Sequence, residues 1–199
     1  WTGSYGTIEG GLAEDVVVTN DGGYLVTGVI SGVQQSISYL LKVSSTGAVE
    51  WVKGYEYSSF VSSGFVSKSI LSFADSTYMI YGYAYSSSTP NYTSLLIKVN
   101  SMGDTLFTKE YTAGYAGNII KPSLDNGLLM VGQGLPNYGG LFIKTNMQGE
   151  VGCFVNNNTG VQVTSPAFLY CSDFAAEGTG GVISNTQTKI GTFTPVSGL

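Results

Sequence analysis

Histidine and arginine are both absent from this chain, and all eight of its cationic side chains are lysine. Without His, a Ser or Cys nucleophile lacks its usual positioned base. Without Arg, the bidentate partner for phosphate and for guanine edges is missing. The lysines are spread along the chain, so no stripe follows a phosphate backbone, and nucleic acid is not an expected partner. No Gly-rich phosphate loop precedes a Lys-Ser/Thr pair, and no dinucleotide fingerprint links a strand to a helix. Charge is scarce at 11% with a net −5, and only five Pro and two Cys occur. No uncharged apolar run reaches the roughly 18–20 residues that span a bilayer. The chain opens at Trp1 with neither an initiator Met nor a signal peptide, as a processed start or a piece of a longer protein would.

What is plentiful points to strands. There are 28 Gly and 14 Tyr, and 43% of the chain is hydrophobic. That content drives collapse, while Gly, Ser, Thr, Tyr and Val favour strands and turns over helix interiors. At 199 residues a single domain with a substantial core is expected.

A repeat organises the chain, at a period of about fifty residues. Asp21, Tyr24 and Gly28 recur as Asp75, Tyr78 and Gly82, then as Asp125, Leu128 and Gly132. Each set is followed by Leu40 to Lys42, Leu96 to Lys98, or Phe142 to Lys144. A turn Gly and an outer strand come next, Gly47 with Trp51, Gly103 with Phe107, and Gly149 with Cys153. The spacing predicts strands over 15–20, 24–30, 36–43 and 48–55 in the first unit. In the second they fall at 66–73, 77–85, 94–99 and 104–111, and in the third at 117–122, 128–134, 141–145 and 150–156. Gly, Asn, Asp and Ser bound them. The turn residues tolerate positive φ, and Gly28, Gly82 and Gly132 mark bulges or close backbone approach.

Four short antiparallel strands per about fifty residues describe a propeller blade. The expected fold is therefore all-β, a β-propeller of four-stranded blades over about 7–55, 56–111, 112–157 and 158–199. The last blade is degraded, with strand candidates at 161–164, 168–172, 181–184 and 192–195. Trp1 and Tyr5 repeat the pattern of Trp51 and Tyr55 and of Phe107 and Tyr111. Residues 1–6 thus read as an outer strand that closes a four-bladed ring, or that continues a preceding blade in a segment of a larger propeller. The pattern over residues 1 to about 156 resembles the tandem β-propeller repeats of secreted and cell-surface proteins. That resemblance implies extracellular display and no particular reaction, and no functional residue carries over from it.

Cys153 and Cys171, with no His and no further Cys, do not suit a zinc site. They read as a disulfide stapling the weakest unit, worth about 3 kcal/mol on a chain-entropy estimate, with two buried free thiols as the alternative. A bridge implies an oxidising compartment. The sequons at Asn91 and Asn157 agree with an extracellular or cell-surface location.

Carboxylate pairs are the remaining route to catalysis, since glycoside hydrolysis needs only two of them. Glu14 with Asp15, Glu110, and Asp173 with Glu177 are candidates, whereas Asp21, Asp75 and Asp125 read as turn residues. Oxygen ligands near Asp21 and Asp125 are too few for calcium, so neither a metal nor a cofactor is expected. Lys42, Lys98 and Lys144 form either a ligand-facing ring or a solvated strand face that resists edge pairing. Among the tyrosines, Tyr83, Tyr85, Tyr92 and Tyr138 are candidates for surface contact. Tyr offers rigid amphipathic area for protein or sugar, although alternation at Tyr81, Tyr83 and Tyr85 also suits one packed face of a strand.

The expectation is a non-catalytic structural protein, a subunit or module of an extracellular assembly that self-associates or binds other extracellular proteins. A carbohydrate-binding propeller is the alternative, and a carboxylate glycosidase a weaker one. The 192–199 tail could close the ring or add a strand to a neighbour.

Overall fold

A computed structural model describes residues 1–6, 10–31, 36–57, 63–86, 92–111, 114–134, 139–151, 155–157, 161–164, 169–171 and 194–195. All regular structure among them is antiparallel β, and no helix occurs. The first unit is a meander of β2 (Leu12–Val18), β3 (Tyr24–Ser31), β4 (Ser36–Val43) and β5 (Val49–Tyr57). The second is β6 (Ser63–Ser72), β7 (Tyr78–Ser86), β8 (Tyr92–Val99) and β9 (Thr105–Tyr111). The third holds β10 (Gly114–Pro122), β11 (Gly127–Gly134) and β12 (Gly140–Asn146).

Local chemistry accounts for the turns. Gly47, Gly103 and Gly149 sit at φ 86°, 77° and 72°, and each amide donates to the carbonyl three residues back. That conformation is nearly free for Gly. Gly22 occupies the matching place in the first hairpin at φ 80°, whereas Ser76 and Asn126 hold φ 59° and 58° with a Cβ. At Ser76 the neighbouring unit assists, because Asn20 Nδ2 donates to the Ala74 carbonyl and to Ser76 Oγ, each at 3.0 Å.

The first strand of every unit carries a bulge, between Ala13 and Asp15, Ser67 and Ser69, and Gly117 and Ile119. These fall opposite the expected close-approach glycines Gly28, Gly82 and Gly132. One extra residue per strand breaks the period-two alternation, which is why β2, β6 and β10 all begin three residues before their expected start.

Consecutive sheets pack face to face. The forward face of the first unit (Leu25, Leu40, Tyr55) meets the rear face of the second (Ile70, Ile80, Ile97) in one apolar cluster. Met79, Leu96 and Tyr111 on the second unit's forward face meet Ile120, Met130 and Ile143 on the third unit's rear face. A third cluster lies on the rear face of the first unit, where Tyr39, Leu41 and Val43 pack against Tyr5.

Beyond the third unit the path departs from the expected pattern. β13 (Val155–Asn157) does not extend the third sheet but pairs with β9 of the second. β14 (Val161–Thr164) pairs with β5 of the first. β1 (Ser4–Gly6), β15 (Leu169–Cys171) and β16 (Thr194–Pro195) form a separate three-stranded sheet in the order β1-β15-β16. Val161–Thr164, expected inside a fourth blade, thus belongs to the first sheet. The segment runs backward along successive outer strands, each of which offers an unpaired edge that an extended chain satisfies.

Candidate functional site

The repeated residues converge on the junction between units. Tyr55 Oη donates to the Gly103 carbonyl at 2.6 Å, and Tyr111 Oη donates to Gly149 at 2.6 Å. Tyr5 Oη makes the same bond to Gly47 at 2.7 Å. The Trp1 ring lies over Gly47 so closely that a Cβ there would collide with it, and the Trp51 ring lies over Gly103, where a Cβ would fit tightly. Trp1 Nε1 adds a bond to the Ser45 carbonyl at 2.9 Å. Each outer strand therefore clips its Tyr onto the turn of the following unit, and at Gly47 and Gly103 a Trp joins it. Burial pushes the Tyr55 and Tyr111 phenols up, so both remain neutral donors throughout the physiological range.

The repeated Lys differs among the units: Lys42 is buried rather than on a solvated face, Lys98 is half-buried, and Lys144 is exposed. Lys42 is buried and reaches Asp21 at 3.0 Å and Glu50 at 3.1 Å. Burial pulls its pKa down, but the bonds to Asp21 and Glu50 outweigh that, and the pKa rises. Lys144 pairs with Asp125 at 2.8 Å, and the Lys98 ammonium lies 5.7 Å from the centre of the Phe73 ring. In the first and third units the turn Asp and the strand Lys are partners across the sheet, since the meander brings β3 beside β4 and β11 beside β12. Reading Asp and Lys separately missed this; the recurrence of both in every unit was the available signal.

Bonds from Lys144 and Ser123 hold the Asp125 carboxyl down at about 2. A depressed carboxyl stabilises the fold fully above its unfolded value of 3.8, and that support is lost as pH falls through about 2. Lys144→Met should therefore raise the Asp125 midpoint toward 3.8, as read by carboxyl-carbon NMR titration. An unmoved midpoint would show that the lysine does not set it.

Three of the four candidate contact tyrosines form one cluster. The Tyr92 ring centre lies 6.1 Å from that of Tyr83 and 6.1 Å from that of Tyr85, within the favourable range for aromatic pairs. All three are partly exposed, although burial raises the Tyr83 phenol. Tyr85 Oη lies 3.3 Å from Ser36 Oγ of the first unit, and Gly64 leaves room for its ring. Tyr81, two residues back along the same face, is fully buried. That strand thus runs from core into a rim. Tyr138, Asn91, Cys153, Asp173 and Glu177 lie outside the described residues. Asn157 and Cys171 are placed by backbone alone, in β13 opposite Lys109 and in β15 opposite Ser4.

The described carboxylates are engaged in structure. Glu14 pairs with Lys68 at 2.6 Å, while Asp15 accepts from Ser69 Oγ and the Ile70 amide, each at 3.0 Å. Glu110 faces Tyr57 Oη at 3.5 Å. Glu14 and Lys68 are the extra residues of two neighbouring bulges, a pairing legible only once the bulges are placed. Among the described residues no group of three or more His, Cys, Asp or Glu is positioned to hold a metal ion. No described helix is long and apolar enough to cross a membrane.

Comparison with protein-family models and with curated proteins finds no match. The class that the geometry defines is a repeated all-β array joined by aromatic clips.

Proposed function

We propose that the chain is a non-catalytic structural protein of the extracellular space, a subunit or module of a filament, sheath or appendage. Its sheets are β-propeller blades of the tandem-repeat kind that the sequence resembles. The observation that carries this reading is the aromatic clip, which recurs at Gly47, Gly103 and Gly149 and spends the most distinctive repeated residues on joining units. The path of residues 155–171 along outer edges favours an arc of a larger propeller over a four-bladed ring completed by 158–199. In the same reading Cys153 and Cys171 are bridged, and Asn91 and Asn157 carry glycans.

Negative-stain electron microscopy of the protein in unreduced source material tests the role, with regular filaments or sheets as the expected result. Discrete discs would instead favour the second reading, a carbohydrate-binding propeller. That reading rests on the cluster of Tyr83, Tyr85 and Tyr92 at one sheet rim, where flat amphipathic rings suit a sugar face.

A further inference from the structure

The two ends of the described array are unfinished in complementary ways. Leu40 and Leu96, on the forward faces of the first two units, are 0% exposed because the next sheet covers them, whereas their equivalent Phe142 on the third unit is 64% exposed. Ile70 and Ile120, on the rear faces of the second and third units, are 2% and 0% exposed, while their equivalent Val16 on the first is 55% exposed. The rear face of the first unit is covered where Leu41 and Val43, 1% and 2% exposed, pack against Tyr5, and open at Val16; with the forward face of the last unit it makes up a junction this chain already makes twice.

The backbone edges match as well. β4 and β8 each pair with an outer strand, β5 and β9, but among the described residues β12 pairs with β11 alone. Conversely, β5 and β9 each lie between a third strand and the returning segment, whereas β1 pairs with β15 alone. Tyr5, Tyr55 and Tyr111 stand opposite Tyr170, Val163 and Val155 of that segment, which makes β1 the counterpart of β5 and β9. Among the described residues, one edge of β1 and one edge of β12 thus have no partner strand, and each is the kind the other completes.

We propose that a second copy of this chain docks head to tail, its β1 adding to β12 as the outer strand of the third unit. This rests on the structural reading above. The register follows from the internal junctions, where Lys42 faces Trp51 and Ser38 faces Tyr55, and Lys98 faces Phe107 and Ser94 faces Tyr111. Lys144 then faces Trp1 of the second copy, and Gly140 faces its Tyr5. Because Trp1 and Tyr5 are already clipped to Gly47, docking repeats the arrangement in which β5 completes one sheet and holds the next. The faces differ, so the contact is heterologous and does not stop at a dimer. Main-chain pairing of β1 with β12 supplies strand addition, and burial of Phe142 and Val16 adds apolar contact.

Sedimentation velocity tests this with Phe142→Glu and Val16→Glu, two exposed substitutions whose retained fold far-UV circular dichroism verifies. The unaltered chain should form a concentration-dependent series beyond the dimer. Each variant alone should sediment as a monomer, and an equimolar mixture should form a one-to-one dimer, since one intact tail then meets one intact head. Association unchanged in either variant, or a mixture that stays monomeric, would overturn the junction. Filaments in source material alongside such results would leave the structural role standing, whereas a chain monomeric at every concentration together with discrete source particles would remove both. A native protein extended by further units that cover these faces would also overturn the second copy as occupant.

Discussion

Gly82→Ala should unfold this protein more readily than almost any other one-carbon change. A Cβ at Gly82 would sit far inside the van der Waals contact distance of the Val66 carbonyl oxygen and 2.8 Å from Ser67 Cα. Both obstacles are backbone, held by the bulge between Ser67 and Ser69, so no side-chain rotation relieves them. Gly82 also offers its own carbonyl to the approach of Gly117 in the next unit, and a shift there would be passed across the junction. We expect a loss of about 3 kcal/mol, at the upper end for overpacking, which for a chain of this size lowers Tm by roughly 10 °C. Gly28→Ala should behave alike, since its Cβ would meet the Leu12 carbonyl oxygen. Gly139→Ala is the control, because nothing lies within 4 Å of that Cβ. Equal melting of all three variants would show that the bulges yield.

Tyr55→Ala carries the second large effect. The side chain is fully buried between the first two units, beside Leu40 and Ile97. Truncation leaves a cavity at the junction and removes the bond to the Gly103 carbonyl. Losses of about 4 kcal/mol are usual for emptying an aromatic site. Tyr55→Phe separates the two contributions, because it keeps the ring and deletes only the hydroxyl, at a cost of about 1 kcal/mol. Chemical denaturation of both variants resolves them. A Phe variant as unstable as the Ala variant would mean that the clip depends on the bond and not on packing.

Much of the array was legible in the sequence because each unit repeats its strand, turn and aromatic positions. Gly47, Gly103 and Gly149 announced turns that need positive φ, and the turns are there. Tyr55, Tyr78 and Tyr111 stand at repeated positions of their units, and they are buried. Strand starts were harder wherever a bulge interrupted alternation, as at Glu14 and Lys68. The burial of Lys42 was not legible at all, since a strand lysine is ordinarily solvated and only the fold brings Asp21 and Glu50 to it. The destination of β13 and β14 was equally hidden. A strand of three or four residues names no partner, and periodicity cannot distinguish its own sheet from one two units away.

The backward path of residues 155–171 bears on how the chain acquires its structure during synthesis. A simple array of meanders is built of neighbours and can fold as each unit leaves the ribosome. Here the outer strands β5 and β9 wait for β14 and β13, which follow all three units in the chain. Tyr55 faces Val163 and Tyr111 faces Val155, so the older edge waits longer and is covered later. The nascent chain therefore carries bare strand edges while all three units are being made, and residues 155–171 then act as a latch that ends this exposure unit by unit, newest first.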